Sequence, residues 1–243
     1  MAELLPSVGE NAALFFDFDG TLVEIAPRPD LVHVEQRVLD LLQSLGDRFD
    51  HALAVVTGRP LDVVDGFLAP LKLPVAAEHG SIRRDAQGHV HADERGAEAV
   101  AAAEQQLKPL VEANAGLILE RKRVSAALHY RQQPELVHEC SAAVEEVVAR
   151  NPGLVILPGK MVFELKPKGV DKGVAVRSFL DEAPFKGRVP VYMGDDITDE
   201  HAFAAVNALG GITIKIDDGE TQARYRTDRE GLLDWLAGMV EQR

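Results

Sequence analysis

Asp17 and Asp19 stand one residue apart, directly after the apolar run Ala12 to Phe16 and directly before Gly20 and Thr21. In an extended chain that spacing sends both carboxylates off one face. Like charges so close repel, and the repulsion is relieved by a bound cation or by a raised pKa in one of the pair. A divalent metal held by oxygen ligands would do the first, leaving one Asp as nucleophile and the other as acid and base. Read alone, the pair is also explained as a turn, because Asp-Gly is a common turn signal. Thr57 closes a second apolar run, and the N–H groups around Gly58 and Arg59 precede a helix expected to begin at Pro60, a geometry that grips a phosphate; an ordinary helix cap reads the same way. Lys172 falls near a helix start, where the dipole disfavours a cation, so an anionic partner explains it better than helix stability does; a solvated surface lysine is the plainer account. Gly194, Asp195, Asp196 and Asp199 form a second acidic group after the apolar strand Val189 to Met193. Asp195 can supply a metal oxygen and Asp199, a helical turn further on, can hold the metal's water or orient a neighbour. An acidic helix start accounts for Asp196 and Asp199 well, and for Asp195 less well.

The elements that must position these residues are legible as an α/β pattern. Ala12 to Phe16 reads as a buried strand, Glu35 to Leu45 as a helix stopped by Gly46, and Ala52 to Val56 as a second buried strand, which together suggest parallel βαβ winding. From about Ser81 to Pro167 the texture changes. A polar hairpin, an alanine-rich helix at Gly96 to Ala113, strands at 116–123 and 124–131, a helix at Glu135 to Arg150, and strands Leu154 to Leu157 and Met161 to Leu165 around Pro158 and Gly159 read as an inserted α+β module. The α/β style resumes with a helix from Asp171 to Leu180, the strand Val189 to Met193, a helix from Thr198 to Leu209, the strand Ile212 to Ile216 and a last helix, Glu230 to Val240. Within the insert, period two puts Glu120 with Lys122 on one face and Glu164 with Lys166 on another. Mixed acid and base suits sugar hydroxyls, and equally suits cross-strand ion pairs on an exposed sheet. His89, His91 and Asp93 alternate and form a weak metal candidate in a hairpin expected to be exposed.

Composition narrows the classes. The 243 residues, 46% hydrophobic and 27% charged, suit one large domain or a core with a modest insert. The 26 basic against 39 acidic residues leave a net charge of -13, which repels nucleic acid and anionic lipid, so neither is an expected partner; an anionic substrate would need locally positive groups. Cys140 is the only cysteine, which excludes an intrachain disulfide and a cysteine zinc cluster. No apolar run reaches the roughly 18 residues that span a bilayer, and the first ten residues lack the pattern of a secretory signal, so a cytoplasmic protein is expected. Neither GxxxxGK[ST] nor GxGxxG occurs, against a P-loop kinase or a dinucleotide-binding protein.

It is the joint order that is specific: DxDGT after strand one, Thr after strand two, Lys before a later helix, GDDxxD after another strand. In that order Asp17 to Thr21, Thr57, Lys172 and Gly194 to Asp199 resemble the four motifs of haloacid-dehalogenase-superfamily phosphatases. The strings at 58–60, 78–80, 119–131, 159–173 and 194–200 are further similar to trehalose-6-phosphate phosphatases. The resemblance implies a Rossmann-like parallel-sheet core at 1–80 and 168–243 with a C2-type cap at 81–167. It implies Asp17 as nucleophile, Asp19 as acid and base, Thr57 and Lys172 on the phosphate, and Mg2+ held by Asp17, the Asp19 carbonyl and Asp195, with Asp196 and Asp199 as supporting acids. It places Gly58, Arg59, His79 and Gly80 near the substrate and gives Glu120, Lys122 and Glu164 the sugar. The implied reaction is magnesium-dependent hydrolysis of trehalose 6-phosphate, the last step of trehalose biosynthesis, by a monomer that works beside a trehalose-phosphate synthase. Another capped sugar phosphatase or a phosphomutase would share the core motifs, and only the cap separates them. A phosphoaccepting receiver domain would carry its acceptor Asp on a later strand, and a non-catalytic sugar-phosphate binder would have no need of both Asp17 and Asp19.

Overall fold

The computed structural model describes residues 5–26, 28, 31–93, 96–122 and 124–241. The chain forms two compact units, one from Met1–Ala92 with Asp171–Arg243 and one from Asp93–Val170.

The first unit is built on strands whose residues are apolar on both faces, which requires layers on both sides. β1 (Ala12–Phe16) and β2 (Leu53–Val56) are buried at every position. With β3 (Val75–Ala77), β4 (Ile82–Arg84), β5 (Val90–Ala92), β10 (Val189–Gly194), β11 (Ile212–Ile216) and β12 (Tyr225–Thr227) they make an eight-stranded sheet in the order β12-β11-β10-β1-β2-β3-β4-β5. β12 through β3 are parallel, and β4 and β5 are antiparallel additions at one edge. On one face, α1 (Gln36–Arg48), α2 (Leu61–Leu68) and α7 (Arg229–Glu241) contribute Val38, Leu42, Val64 and Leu236 to a core with Leu14, Phe16 and Val55. On the other, α5 (Lys172–Leu180) and α6 (Glu200–Ala208) close over Phe15, Ala54 and Tyr192 with Val176, Phe179 and Phe203. Burying a side chain such as Phe15 or Phe16 contributes about 2–3 kcal/mol. Chain order reverses beside β1, which pairs with β10 on one side and β2 on the other. That reversal opens a crevice at the carboxyl ends of the strands.

The second unit is an antiparallel sheet, β6 (Ile118–Arg121), β7 (Ala126–His129), β9 (Val162–Pro167) and β8 (Leu154–Gly159), with α3 (Ala97–Ala113) and α4 (Val137–Arg150). Leu128, Leu165 and Leu154 pack with Val100, Leu107 and Val144.

The structure differs from the sequence reading at several places. The hairpin β4-β5, read as the start of the insert at 81, belongs to the first unit's sheet, so that unit continues to Ala92 and resumes at Asp171 instead of 168. Arg84 pins it there, bonding Leu73 O at 2.7 Å and the Asp65 carboxylate at 2.7 Å. Gly46 lies inside α1 and does not stop it; the chain turns at Asp50 and His51, both with positive φ. Pro60 has φ -61° and ψ 150°, so it caps α2 and is not its first residue. Asp171 likewise caps α5, accepting from Val174 N at 2.8 Å. β8 carries Pro158 and Gly159 within the strand and turns only at Met161, with φ 64°, because an edge strand tolerates a missing N–H. The strand expected over 116–123 is shorter, and residue 123 lies outside the described residues.

Candidate active site

The site is assembled at the carboxyl end of the parallel strands of the first unit. Asp17 follows β1, its N–H bonded to Met193 O at 2.9 Å, so the backbone leaves the sheet with the Asp17 side chain in the crevice and only 4% of the residue exposed. Gly20 then turns the chain at φ 78°. A Cβ there would fall 2.1 Å from Asp195 Oδ2, so the turn and the approach of the second acidic motif both require glycine. Asp195 itself follows β10 directly after Gly194, a residue on which a Cβ would strike Asp199.

Lys172 lies in the first turn of α5 and is buried. Its Nζ donates to Asp17 Oδ1 and to Asp199 Oδ1, each at 2.7 Å. Burial works against the ammonium, but the charges of Asp17 and Asp199 outweigh it and hold the lysine pKa above its usual value. Asp17 moves the other way from a salt-bridged acid: burial first, and then Asp199, push its pKa well above the ordinary carboxylate range, against the pull of Lys172. Burial likewise lifts Asp195 to about 6, with Asp199 adding to the lift and a hydrogen bond with Asp17 and the Lys172 charge opposing it. Oxygens of Asp17, Asp195 and Asp199 lie within 4.8 Å of one another, a group that can hold a cation.

Two observations sort these three acids. Asp195 Oδ1 is buried without a hydrogen-bond partner, an expensive condition for a carboxylate and one that an oxygen-seeking divalent ion relieves. Asp199 is fully committed: Oδ1 accepts from Lys172 and from the Tyr192 hydroxyl at 2.6 Å, and Oδ2 accepts from Asp196 N at 3.0 Å. The donors available to a metal are therefore Asp17 and Asp195, with Asp199 holding the lysine in place. Asp196 turns outward to cap the short helical turn at Ile197–Asp199.

Two buried groups were not singled out from the sequence. Tyr192, on β10, has its hydroxyl on Asp199, and Lys215, on β11, donates Nζ to the backbone oxygen of Asp195. The signals were present: a lysine inside the apolar strand Ile212–Ile216, and a tyrosine in a strand buried on both faces, each needing a polar partner. Tyr192→Phe is expected to lower stability by about 1.5–3 kcal/mol in urea unfolding, the worth of a buried hydrogen bond to a charged group. An unchanged midpoint and slope would show that the hydroxyl does not hold Asp199.

The loop after β2 lies on the same side. Thr57 is buried, and its Oγ1 accepts from Arg59 N at 3.2 Å. His79 N donates to Thr57 O at 2.9 Å and Glu78 N to Arg59 O at 3.1 Å, so the positive-φ turn Glu78–Gly80 is laid against the 57–59 loop. Gly58 faces the His79 ring, where a Cβ would come within 2.6 Å. Gly58, Arg59 and His79 are thus gathered around Thr57, and Gly80 lies against Asp171 O and Ala175. Arg59 reaches Asp19, with Nε on Oδ2 and Nη2 on Oδ1, both at 2.6 Å.

Glu120, Lys122 and Glu164 lie in the second unit. Register puts Glu120 opposite Ala127 and Ala127 opposite Glu164, one row across β6, β7 and β9. Lys122 Nζ donates to Glu164 Oε1 at 3.1 Å, as does Ser125 Oγ at 2.6 Å, and Glu120 Oε2 meets His129 Nε2 at 2.8 Å. Lys166 bonds Val170 O. His89 and His91 do not join Asp93; both turn to the buried Asp85, at 3.2 and 2.9 Å. Among the described residues no helix is long and apolar enough to cross a membrane.

Comparison with known proteins identifies the family. A trehalose-phosphatase family model matches residues 15–230. A trehalose-6-phosphate phosphatase of Escherichia coli K12 is 41% identical over 221 residues, covering 91% of this chain and 83% of that protein. A probable trehalose-phosphate phosphatase of Sinorhizobium fredii is 42% identical over 211 residues, 85% of this chain and 78% of its own. The crystal structure of a trehalose-6-phosphate phosphatase related protein superimposes with a TM-score of 0.74 at 30% identity, covering 94% of this chain and 97% of that one. The C-terminal domain of the C. albicans trehalose-6-phosphate phosphatase gives 0.80 at 19%, with 98% and 99% covered, a likeness of fold. The motif order, the acid cluster that it builds and the extent of these matches together place the chain in the trehalose-phosphatase family, with a haloacid-dehalogenase-type α/β fold.

Proposed function

We propose that the chain hydrolyses trehalose 6-phosphate to trehalose and phosphate, with Mg2+, through a phosphorylated Asp17. The observation that carries the reading is the position of Asp17: buried at the strand end, bound to Lys172, and beside a carboxylate oxygen of Asp195 that lacks a partner. Magnesium suits the hard oxygen donors of Asp17, the Asp19 carbonyl and Asp195, and when bound it supplies positive charge that offsets the phosphoryl group's.

Asp17 attacks phosphorus, and the bond from phosphorus to the sugar oxygen breaks. Asp19 protonates the departing oxygen, then takes a proton from the water that hydrolyses the aspartyl phosphate. Lys172 neutralises charge on Asp17 and on the phosphoryl oxygens, and Asp199 keeps it there. Thr57 offers its hydroxyl to a phosphate oxygen, and His79 and Gly80 form the wall beside it. Glu120, Lys122 and Glu164 hold the disaccharide hydroxyls, carboxylates accepting and the ammonium donating.

The test is phosphate release from trehalose 6-phosphate, glucose 6-phosphate and sucrose 6-phosphate, each with magnesium and with a chelator. Metal-dependent turnover that strongly favours the trehalose ester is expected. Equal or better turnover of another ester would keep the phosphatase chemistry and remove the assignment of Glu120, Lys122 and Glu164 to trehalose. No turnover of any of them would remove the enzymatic reading.

A further inference from the structure

We propose that Arg59 is the positioning residue that holds Asp19 for the second half of the reaction, in which water cleaves the aspartyl phosphate; the inference rests on the mechanism above. The pair is two-pronged, with both Asp19 oxygens bonded at 2.6 Å. A fork of this kind fixes the plane of a carboxylate as well as its position, which a single ammonium does not. The guanidinium is itself braced. Its carbon lies 5.2 Å from the centroid of the Phe67 ring and 5.8 Å from that of Phe18, and the two rings stack at 5.7 Å. Only 14% of the Arg59 side chain is exposed, against 36% for Asp19, so the clamp is the more anchored partner. Phe18 lies between the two acids in the chain and Phe67 in α2, so one aromatic brace ties the clamp to the strand end that carries Asp17.

Held at both oxygens, the Asp19 carboxylate keeps one orientation, and a fixed orientation toward the attacking water is what the second half-reaction needs of it. There the water oxygen bonds to phosphorus, the bond from phosphorus to the Asp17 oxygen breaks, and one water proton passes to Asp19. Asp17 is regenerated as a carboxylate and inorganic phosphate leaves. In the first half-reaction Asp19 donates instead, and the clamp has to open.

p-Nitrophenyl phosphate separates the halves, because its leaving group departs without a proton from the enzyme. With magnesium, Arg59→Met is expected to release p-nitrophenol in a burst approaching one equivalent per enzyme, followed by steady turnover about tenfold below wild type. kcat/KM, which reports only the steps through phosphorylation of Asp17, is expected to change by less than about threefold. Intact mass after an acid quench shows the phosphorylated protein accumulating. Arg59→Lys, which keeps the charge and loses the fork, recovers part of the steady rate, and it carries the same burst measurement if Arg59→Met does not fold. Equal falls in kcat and kcat/KM with no burst would overturn the proposal and make Arg59 a phosphate ligand. An unchanged steady rate would overturn it outright. If no variant and no wild-type sample ever carries a phosphoryl group, the mechanism above fails and this proposal fails with it, an outcome that the mass measurement distinguishes from the other two.

Discussion

Asp17→Asn is expected to abolish phosphate release from trehalose 6-phosphate, by at least about 10⁴-fold, without unfolding the protein. The loss follows from the proposed role of Asp17 as nucleophile; an amide does not form the acyl phosphate. The preserved fold follows from the electrostatics. Asp17 is buried beside Asp199 and Asp195, and these neighbours and its own desolvation raise its pKa well above 3.8. A carboxylate raised in the folded state binds its proton more tightly there than in the unfolded chain, so its charge opposes folding once the pH exceeds the unfolded value. Asparagine resembles the protonated form. It leaves Lys172 with Asp199 at 2.7 Å as a partner, so no buried cation is stranded. The metal-free variant at about pH 7.5 is therefore expected to melt at the wild-type temperature or above. Calorimetry and a phosphate assay on the same preparation check both halves: near wild-type turnover in a folded variant would remove Asp17 as nucleophile, and a large drop in Tm would mean that Lys172 depends on Asp17 for its burial.

What the sequence disclosed about this site was its parts list, because each part sits at the end of an apolar strand or the start of a helix. Those are places where local pattern and chain direction are enough. Parallel strands ending in Asp17, Thr57 and Gly194 had to bring those residues to one edge once the order of the strands was granted. The pairings inside the site were not legible. That Lys172 bridges Asp17 and Asp199 across 155 and 27 residues depends on how α5 packs, and nothing local to the lysine says so. Arg59 read as a phosphate-loop residue, and its grip on Asp19, 40 residues away, is a tertiary fact. Tyr192 was read only as part of a buried strand, since its hydroxyl's partner comes from the next element. In the hairpin β4-β5 the three-residue strands are too short for periodicity to assign them to a sheet, and side-chain bonds from Arg84 to Leu73 and Asp65 decide it. Local pattern thus picked out the candidate site residues, and long-range packing assigned their partners.

Removing the metal is expected to cost at least about 10³-fold in activity and to leave a signature in stability that depends on pH. In the absence of metal, Asp195 is pushed up to about 6 and Asp17 is also raised. For both, the folded state binds more protons than the unfolded chain between 3.8 and the raised value, so the metal-free protein loses stability as pH rises through that window and regains it as pH falls. A cation and these protons compete for the same oxygens. Magnesium at about a hundredfold excess over its Kd adds about 2.7 kcal/mol, roughly 5–10 °C in Tm for a chain of this size, at about pH 7.5, where the carboxylates are free to bind it. At about pH 5 protons hold the site, and most of that increment is expected to vanish. Asp195→Asn, which takes the negative charge and one oxygen donor from the carboxylate whose Oδ1 lacks a partner, should flatten the magnesium effect at both pH values while leaving the protein folded. The decisive comparison is the difference between Tm with magnesium and Tm with a chelator at each pH, since other titrating groups cancel in it. A difference that is the same at both pH values, or that survives in Asp195→Asn, would show that the cation binds elsewhere, and turnover that persists in a chelator would show that the acid cluster works without it.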